Sequence, residues 1–235
     1  MKLAIMQPYF SPYLGYFSLI KHSDQFILFD PVQHIRLGWI ERNRILKPVE
    51  GWQYIGVSLE KHSRDTLIKE LRIKNNTDWQ DRIFRQLEHY KKRAPFYTKV
   101  IDLLHACFEK KTTSIVKLNE KCLSLVCEYI GIEFRSQIFS EMNLEVGTIK
   151  HPGEWAVRIS EAMNASTYIN PHGGMEIFNK QEFGDAKIEL KFMQPLLSEY
   201  SQRRPAFEPG LSIIDVMMFN NEFEIRDMID EFKYV

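Results

Sequence analysis

Two short, unbroken apolar runs open the chain, Lys2-Leu3-Ala4-Ile5-Met6 and Gln25-Phe26-Ile27-Leu28-Phe29, the second closed by Asp30, and each has the length of a buried strand. Between them Phe17, Leu19 and Ile20 lie on or beside one face of a short helix that ends near Ser23-Asp24. Strand, Pro/Gly-rich turn, helix and strand form a βαβ unit. In open α/β sheets the ligand sits outside the carboxyl ends of the strands. The segment from Gln7 to Tyr16 occupies that place, so Gln7 and the aromatics there are candidates for binding as well as for packing.

Beyond Asp30, the polar cluster with Gly38 predicts a loop from Pro31 to Trp39, leading to a short helix or strand over Ile40 to Ile45. Trp52 to Leu59 alternates with β-favouring types and predicts a third strand. Lys61 to Asp65 is a polar loop, and Leu67 to Ile73 a short strand or helix. The period then changes. Trp79, Ile83, Leu87 and Tyr90 recur at helical spacing, with Asn76 or Thr77 available as a cap. A second helix covers Phe96 to Phe108, and a third runs from Ser114 to a stop at Gly131. After this helical stretch the chain returns to α/β. Phe134 to Phe139 reads as a strand and Pro152 to Asn164 as a helix. Ser166 to Ile169 is a strand ending in the turn Asn170-Pro171-His172-Gly173-Gly174. Lys187 to Met193 is another strand, and Leu211 to Asn220 and Glu222 to Phe232 form a terminal helical pair.

Composition narrows the classes. With 44% hydrophobic and 26% charged residues, the chain of 235 residues can bury a sizeable core. It carries 31 basic and 31 acidic side chains, so it has no overall field to attract nucleic acid or an anionic membrane. Lys91-Lys92-Arg93 and Lys110-Lys111 read as solvated helix ends. No apolar stretch approaches the roughly 18 residues of a membrane span. One lysine and four apolar residues ahead of Gln7 do not make a secretory leader, and cytoplasm is the expected compartment. Cys107, Cys122 and Cys127 lack C-x-x-C spacing and fall in predicted helices, as buried thiols do in a reducing compartment. The seven histidines include no H-x-x-x-H pair, and no metal site is expected.

Candidate chemistry concentrates in loops. Pro12-Tyr13-Leu14-Gly15-Tyr16 has the shape of the P-H-x-G-H turn of Rossmann-like (HUP-type) nucleotidyltransferases, where histidines and a helix start hold nucleotide phosphates. Both histidine positions are tyrosine here. A phenol donates a hydrogen bond but carries no positive charge at neutral pH, so the phosphate-site geometry can persist without adenylyl-transfer chemistry. A tight turn with aromatic packing is the alternative. Trp39 with Arg42-Asn43-Arg44 suits bidentate phosphate recognition, against a solvated basic loop. His62, in the loop after a predicted strand, ranks first as general base; His34 and His172 follow. The Asn170–Gly174 turn presents backbone N–H groups to the same crevice, or is only a turn.

The sequence resembles the bacterial WbqC-like proteins over nearly its whole length. The resemblance is carried by Met6-Gln7-Pro8-Tyr9-Phe10 with Pro12 and Gly15-Tyr16-Phe17, by Asp24 and Asp30, by Trp39 with Arg42-Asn43, by Trp79, Tyr90 and Ala94-Pro95, by Tyr168 with Gly174, and by Leu211-Ser212-Ile213-Ile214-Asp215. It implies a place in O-antigen, lipopolysaccharide or other surface-glycan synthesis and the transfer of a glycyl or other acyl group to an amino sugar. Gln7, Tyr9, Tyr13, Gly15, Tyr16, Asp30, Trp39, Arg42, Asn43 and His172 are then the expected contacts to a nucleotide-linked amino sugar, and His62 the base. An acyl-CoA or acyl-carrier protein would be the donor, with no tightly bound cofactor. The competing readings are a non-catalytic adaptor docking through the Trp79–Gly131 helices and a nucleotidyltransferase using ATP or CTP. The expected fold is a single α/β domain over residues 1–235, a Rossmann-like, mostly parallel sheet with a helical insertion at about residues 77–131.

Overall fold

A computed structural model describes residues 1–235. Five strands run parallel: β1 (Lys2–Met6), β2 (Gln25–Leu28), β5 (Ser136–Ile138), β6 (Thr167–Pro171) and β7 (Glu189–Pro195). A sixth, β8 (Phe232–Tyr234), pairs antiparallel with β7, giving the order β5-β2-β1-β6-β7-β8. The protein is α/β, with a mostly parallel, Rossmann-like sheet.

Alternation along each strand feeds two cores, because successive side chains leave opposite faces of a sheet. Ala4, Phe26, Leu28 and Ile169 enter the larger core. It is completed by α1 (Leu14–Lys21), α2 (Trp79–Leu87), α3 (Tyr97–Phe108), α4 (Ile115–Ile130), α7 (Ile213–Phe219) and α8 (Glu222–Asp230). Leu3, Ile5, Ile27 and Tyr168 point the other way, into a smaller core under α5 (Glu154–Ala162) and α6 (Lys180–Asp185). Both faces are covered, so the central strands read as continuous apolar runs. The helical stretch behaves as its periodicity predicts. Ser114 Oγ accepts from the Lys117 N–H at the start of α4, and Gly131 takes φ +70° just past its end, a conformation that a Cβ disfavours.

Three local expectations change. The Trp52 strand is β4 (Trp52–Gly56), and it pairs only with β3 (Arg42–Leu46), as a hairpin separate from the main sheet. The last predicted helix stops at Asp230, and Phe232 to Tyr234 return as the edge strand β8, a segment too short to show a period of its own. The short helix α6 had no signal at all beyond Asn179, which caps it by accepting from the Gln181 N–H. No helix is long and apolar enough to cross a membrane.

Helix α7 brings a carboxylate into the larger core. Asp215 is fully buried and accepts from Tyr90 Oη at 2.5 Å, Tyr200 Oη at 2.6 Å and Gln202 Nε2 at 3.2 Å. Burial pushes its pKa up to about 6 from the ordinary 3.8, against the pull of those three donors. The folded protein therefore holds this proton more tightly than the unfolded chain, and the stability so gained is lost as pH rises through the interval. The gap between 3.8 and about 6 corresponds to about 3 kcal/mol. Urea unfolding followed across that interval should show Asp215→Asn losing a pH-dependent component of this size. Parallel curves for the two proteins would refute the assignment.

Candidate functional site

Between β1 and β6 the strand order reverses. The chain leaves β1 through α1 on one face, whereas α5 leads into β6 from the other, so the two connections diverge and open a crevice at the strand ends. The crevice is a cavity of about 720 Å³, within the range of about 300–1,000 Å³ usual for small-ligand sites. Phe29, Trp155, Tyr168 and Phe178 form its apolar wall; Gln7, Lys150, His151 and Asn170 are its polar groups. The aromatics brace one another edge to face, Phe29 against Trp155 with ring centres 5.3 Å apart and Tyr168 against Phe178 at 5.5 Å.

The segment leaving β1 forms the floor, and it is irregular but tightly held. Tyr16 Oη donates to the Gln7 carbonyl at 2.9 Å, and Asn119 Nδ2 donates to the carbonyls of Pro8 and Ile40 at 2.7 and 2.8 Å. Asn43 Nδ2 reaches the Phe10 carbonyl at 3.1 Å, and Ser212 Oγ reaches that of Ser11 at 2.7 Å. These ties hold Ser11 at φ +40°, a conformation costing about 1–2 kcal/mol for an L-residue. Tyr9 is thereby set between the main cavity and a second one of about 290 Å³ lined by Pro12, Tyr13, Trp39, Asn43, Arg44 and Gly210.

On the opposite rim, His151 Nε2 lies 2.8 Å from Glu182 Oε1 in the first turn of α6. A carboxylate at Nε2 favours the tautomer with its proton there and leaves Nδ1 free to accept one. The loop carrying the histidine is fixed from α5, where Glu154 accepts the Lys150 N–H at 2.6 Å and pairs with Arg158 at 2.9 Å. The Lys150 N–H, followed by Arg158, holds the Glu154 carboxyl below its ordinary range. Across the crevice, Tyr168 Oη donates to Asn170 Oδ1 at 3.0 Å and orients that amide.

The structure divides the residues expected to share one pocket. Gln7 and Tyr9 line the switch-point cavity. Tyr9, Tyr13, Trp39 and Asn43 line the second. Tyr16 is buried in the core, its phenol bound to Gln7, and Asp30 is buried with its carboxylate accepting from the Ser140 N–H at 3.0 Å and Oγ at 2.6 Å. Tyr16 fastens the floor, Asp30 fastens the end of β2 to Ser140, and neither lines a cavity wall. Gly15 packs so closely that a Cβ there would stand 2.6 Å from the Tyr13 ring and 2.7 Å from Pro195. Arg42 stacks over Tyr54 at 3.8 Å and donates to the Leu37 carbonyl. His172 is exposed beside Pro171 and Gly173, which do line the main cavity. His62 belongs to a different cavity, of about 510 Å³, where its ring lies 5.0 Å from that of His34, itself 2.9 Å from Glu41.

Lys150, His151, Trp155 and Phe178 were not anticipated as site residues. The available signal was His151 directly before the predicted Pro152–Asn164 helix; in the structure it lines the same cavity as the Asn170–Gly174 turn. The cysteines are free and buried, and no cluster of three or more His, Cys, Asp or Glu side chains is placed to hold a metal ion.

Comparison with known proteins gives one family and one curated relative. The model of the WbqC-like protein family matches residues 7–227. The uncharacterized protein Rv1507c of Mycobacterium tuberculosis (strain ATCC 25618 / H37Rv) is 29% identical over 231 residues, covering 97% of each chain. No solved structure matches the chain.

The ties on the floor yield a test. Asn119→Ala leaves the Pro8 and Ile40 carbonyls buried without their donor, which is expected to cost about 2–6 kcal/mol at about 1–3 kcal/mol per group. A urea midpoint within error of the parent's would show that the segment holds itself.

Proposed function

This chain belongs to the WbqC-like family, and from that premise we propose that it transfers an acyl or aminoacyl group of the glycyl type to the amine of a nucleotide-linked amino sugar in bacterial surface-polysaccharide synthesis. The observation that carries the reading is the His151–Glu182 pair at the rim of the switch-point cavity. An amine must lose a proton as it attacks a carbonyl, and a histidine oriented by a carboxylate is suited to take it.

In this reading the acceptor lies across the strand ends. Its sugar or base packs on the aromatic wall, and Lys150 meets its negative charge. The sugar amine attacks the carbonyl carbon of an acyl thioester on CoA or an acyl-carrier protein. The C–N bond forms, the C–S bond breaks, His151 Nδ1 takes the amine proton, and the departing thiolate is reprotonated. Gln7 and Lys150 are the donors within the cavity for the oxyanion. Asn43 is not free for that role, because its amide is bound to the Phe10 carbonyl and the Arg44 N–H. The cysteines stay out of the reaction: burial raises the Cys127 thiol well above the thiolate range, and Cys122 is held up chiefly by its hydrogen bond with Cys107.

The nucleotidyltransferase reading requires phosphate at the start of α1. Tyr13 and Pro195 fill the space over Gly15 there. His62 defines a second reading of the base, favoured by its contact with the His34–Glu41 pair.

Thermal unfolding against dTDP- and UDP-amino sugars, ATP and CTP is the direct test. A bound amino sugar should stabilise the protein by about 2.7 kcal/mol at a hundredfold excess over Kd. With a thioester donor supplied, His151→Ala should lower kcat by about 10²–10⁴ while keeping the thermal shift, and His62→Ala should leave kcat unaltered. Loss in His62→Ala alone would move the base to the other cavity. Stabilisation by ATP or CTP alone would return the nucleotidyltransferase reading, and the absence of any shift would leave the adaptor.

A further inference from the structure

The second cavity holds a guanidinium with no acid to match it. Arg44 projects from β3 between two indoles, its carbon 5.6 Å from the centre of the Trp39 ring and 5.1 Å from that of Trp52. Nη2 donates to the Gly210 carbonyl at 2.9 Å, Nε is buried without an acceptor, and Nη1 makes no hydrogen bond inside the protein. No carboxylate pairs with Arg44. Arg204, on the loop that leads to Gly210, has Glu208 for that purpose at 3.5 Å. A guanidinium partly withdrawn from bulk water attracts an anion more strongly than a fully exposed one does, because the effective dielectric constant around it is lower.

The rest of the lining agrees in chemistry. Tyr9 and Tyr13 both face this cavity, and neither phenol has a partner within the protein. Burial raises the pKa of both, with Tyr13 adding to the effect at Tyr9, so each keeps its O–H at neutral pH. Asn43 is held at both ends of its amide and serves as wall. The available groups can all donate: one edge of a guanidinium and two phenols. A volume of about 290 Å³ limits the ligand to a small group.

We propose that the cavity formed by Arg44, Tyr9 and Tyr13 is an oxyanion subsite, taking a phosphate, a pyrophosphate or the carboxylate of a small acid. It adjoins the switch-point cavity through Tyr9, which lines both. The anion can thus belong to a molecule extending from the main cavity or to a separate small one. Its test reads anion binding directly, so it stands or falls apart from the transfer reaction.

Calorimetric titration of the full chain at low salt with inorganic phosphate, pyrophosphate and glycine provides that test. Saturable binding of at least one probe is expected, weakened about tenfold or more in Arg44→Met, the order lost with a charge-assisted hydrogen bond. Tyr13→Phe removes a single O–H and leaves the packing intact, and it should weaken the same probe severalfold. Pyrophosphate as the tightest ligand would assign the subsite to the nucleotide; glycine would assign it to the carboxylate of a small acid. No binding of any probe, or binding equal in the parent and Tyr13→Phe, would overturn the proposal even if Arg44→Met fails to fold.

Discussion

Five carbonyls of the segment from Gln7 to Pro12, those of Gln7, Pro8, Phe10, Ser11 and Pro12, are bound by different parts of the molecule. Tyr16 comes from α1, Asn119 from α4, Asn43 from β3, Ser212 from the residue before α7, and the Ile213 N–H from α7 itself. A chain leaving a buried parallel strand must satisfy its backbone polar groups or lose about 1–3 kcal/mol for each one left bare. A helix or a sheet would do so with its own ladder. Here the partners come from across some two hundred residues of sequence, so the loop takes a fixed shape only once the larger core has closed. That dependence makes the cavity floor a product of the whole fold.

This arrangement explains why one short stretch borders two cavities. With its neighbours' carbonyls fixed on both sides, Tyr9 cannot fall back into the core, and it separates the switch-point crevice from the space around Arg44. The rims are supplied independently. The α5 and α6 side brings Lys150, His151 and Glu182; the hairpin brings Asn43 and Arg44. Basic and aromatic groups therefore converge on the strand ends of a protein with zero formal net charge. Local placement, and not the overall field, decides what such a molecule binds.

Much of the frame was legible because its signals are local. β1, α1, β2 and the β6 turn follow from apolar runs closed by proline, glycine or an acid, and α4 from a serine cap and a terminal glycine. The site was legible in place but less so in membership. Gln7 and Tyr9 were read at the strand end where they line the crevice. Tyr16 and Asp30 carry the same types of group as binding residues, and only their burial shows that those groups fasten backbone instead. The His151–Glu182 contact joins residues 31 apart on the irregular approach to one helix and the first turn of another. No periodicity encodes such a pair. β4 kept its strand character but changed partners, since alternation specifies a strand and leaves open which neighbour it finds.

The wall around Arg44 depends on a group that never touches the cavity. Gln202 donates to both Asp215 and the Glu208 carbonyl and accepts from the Glu208 N–H, so the loop that delivers Gly210 is folded around one amide. Asp215 in turn gathers Tyr200 from that loop and Tyr90 from the helical insertion, and Tyr90 Oη accepts from the Leu46 N–H at the end of β3. Hairpin, insertion and loop thus meet at one buried carboxylate. An apolar residue in its place would satisfy none of these donors, and the three elements would lose the point that fixes them relative to one another. The burial that raises Asp215 to about 6 is the cost of drawing those elements together. The same junction holds the Gly210 carbonyl against the guanidinium that it helps to position.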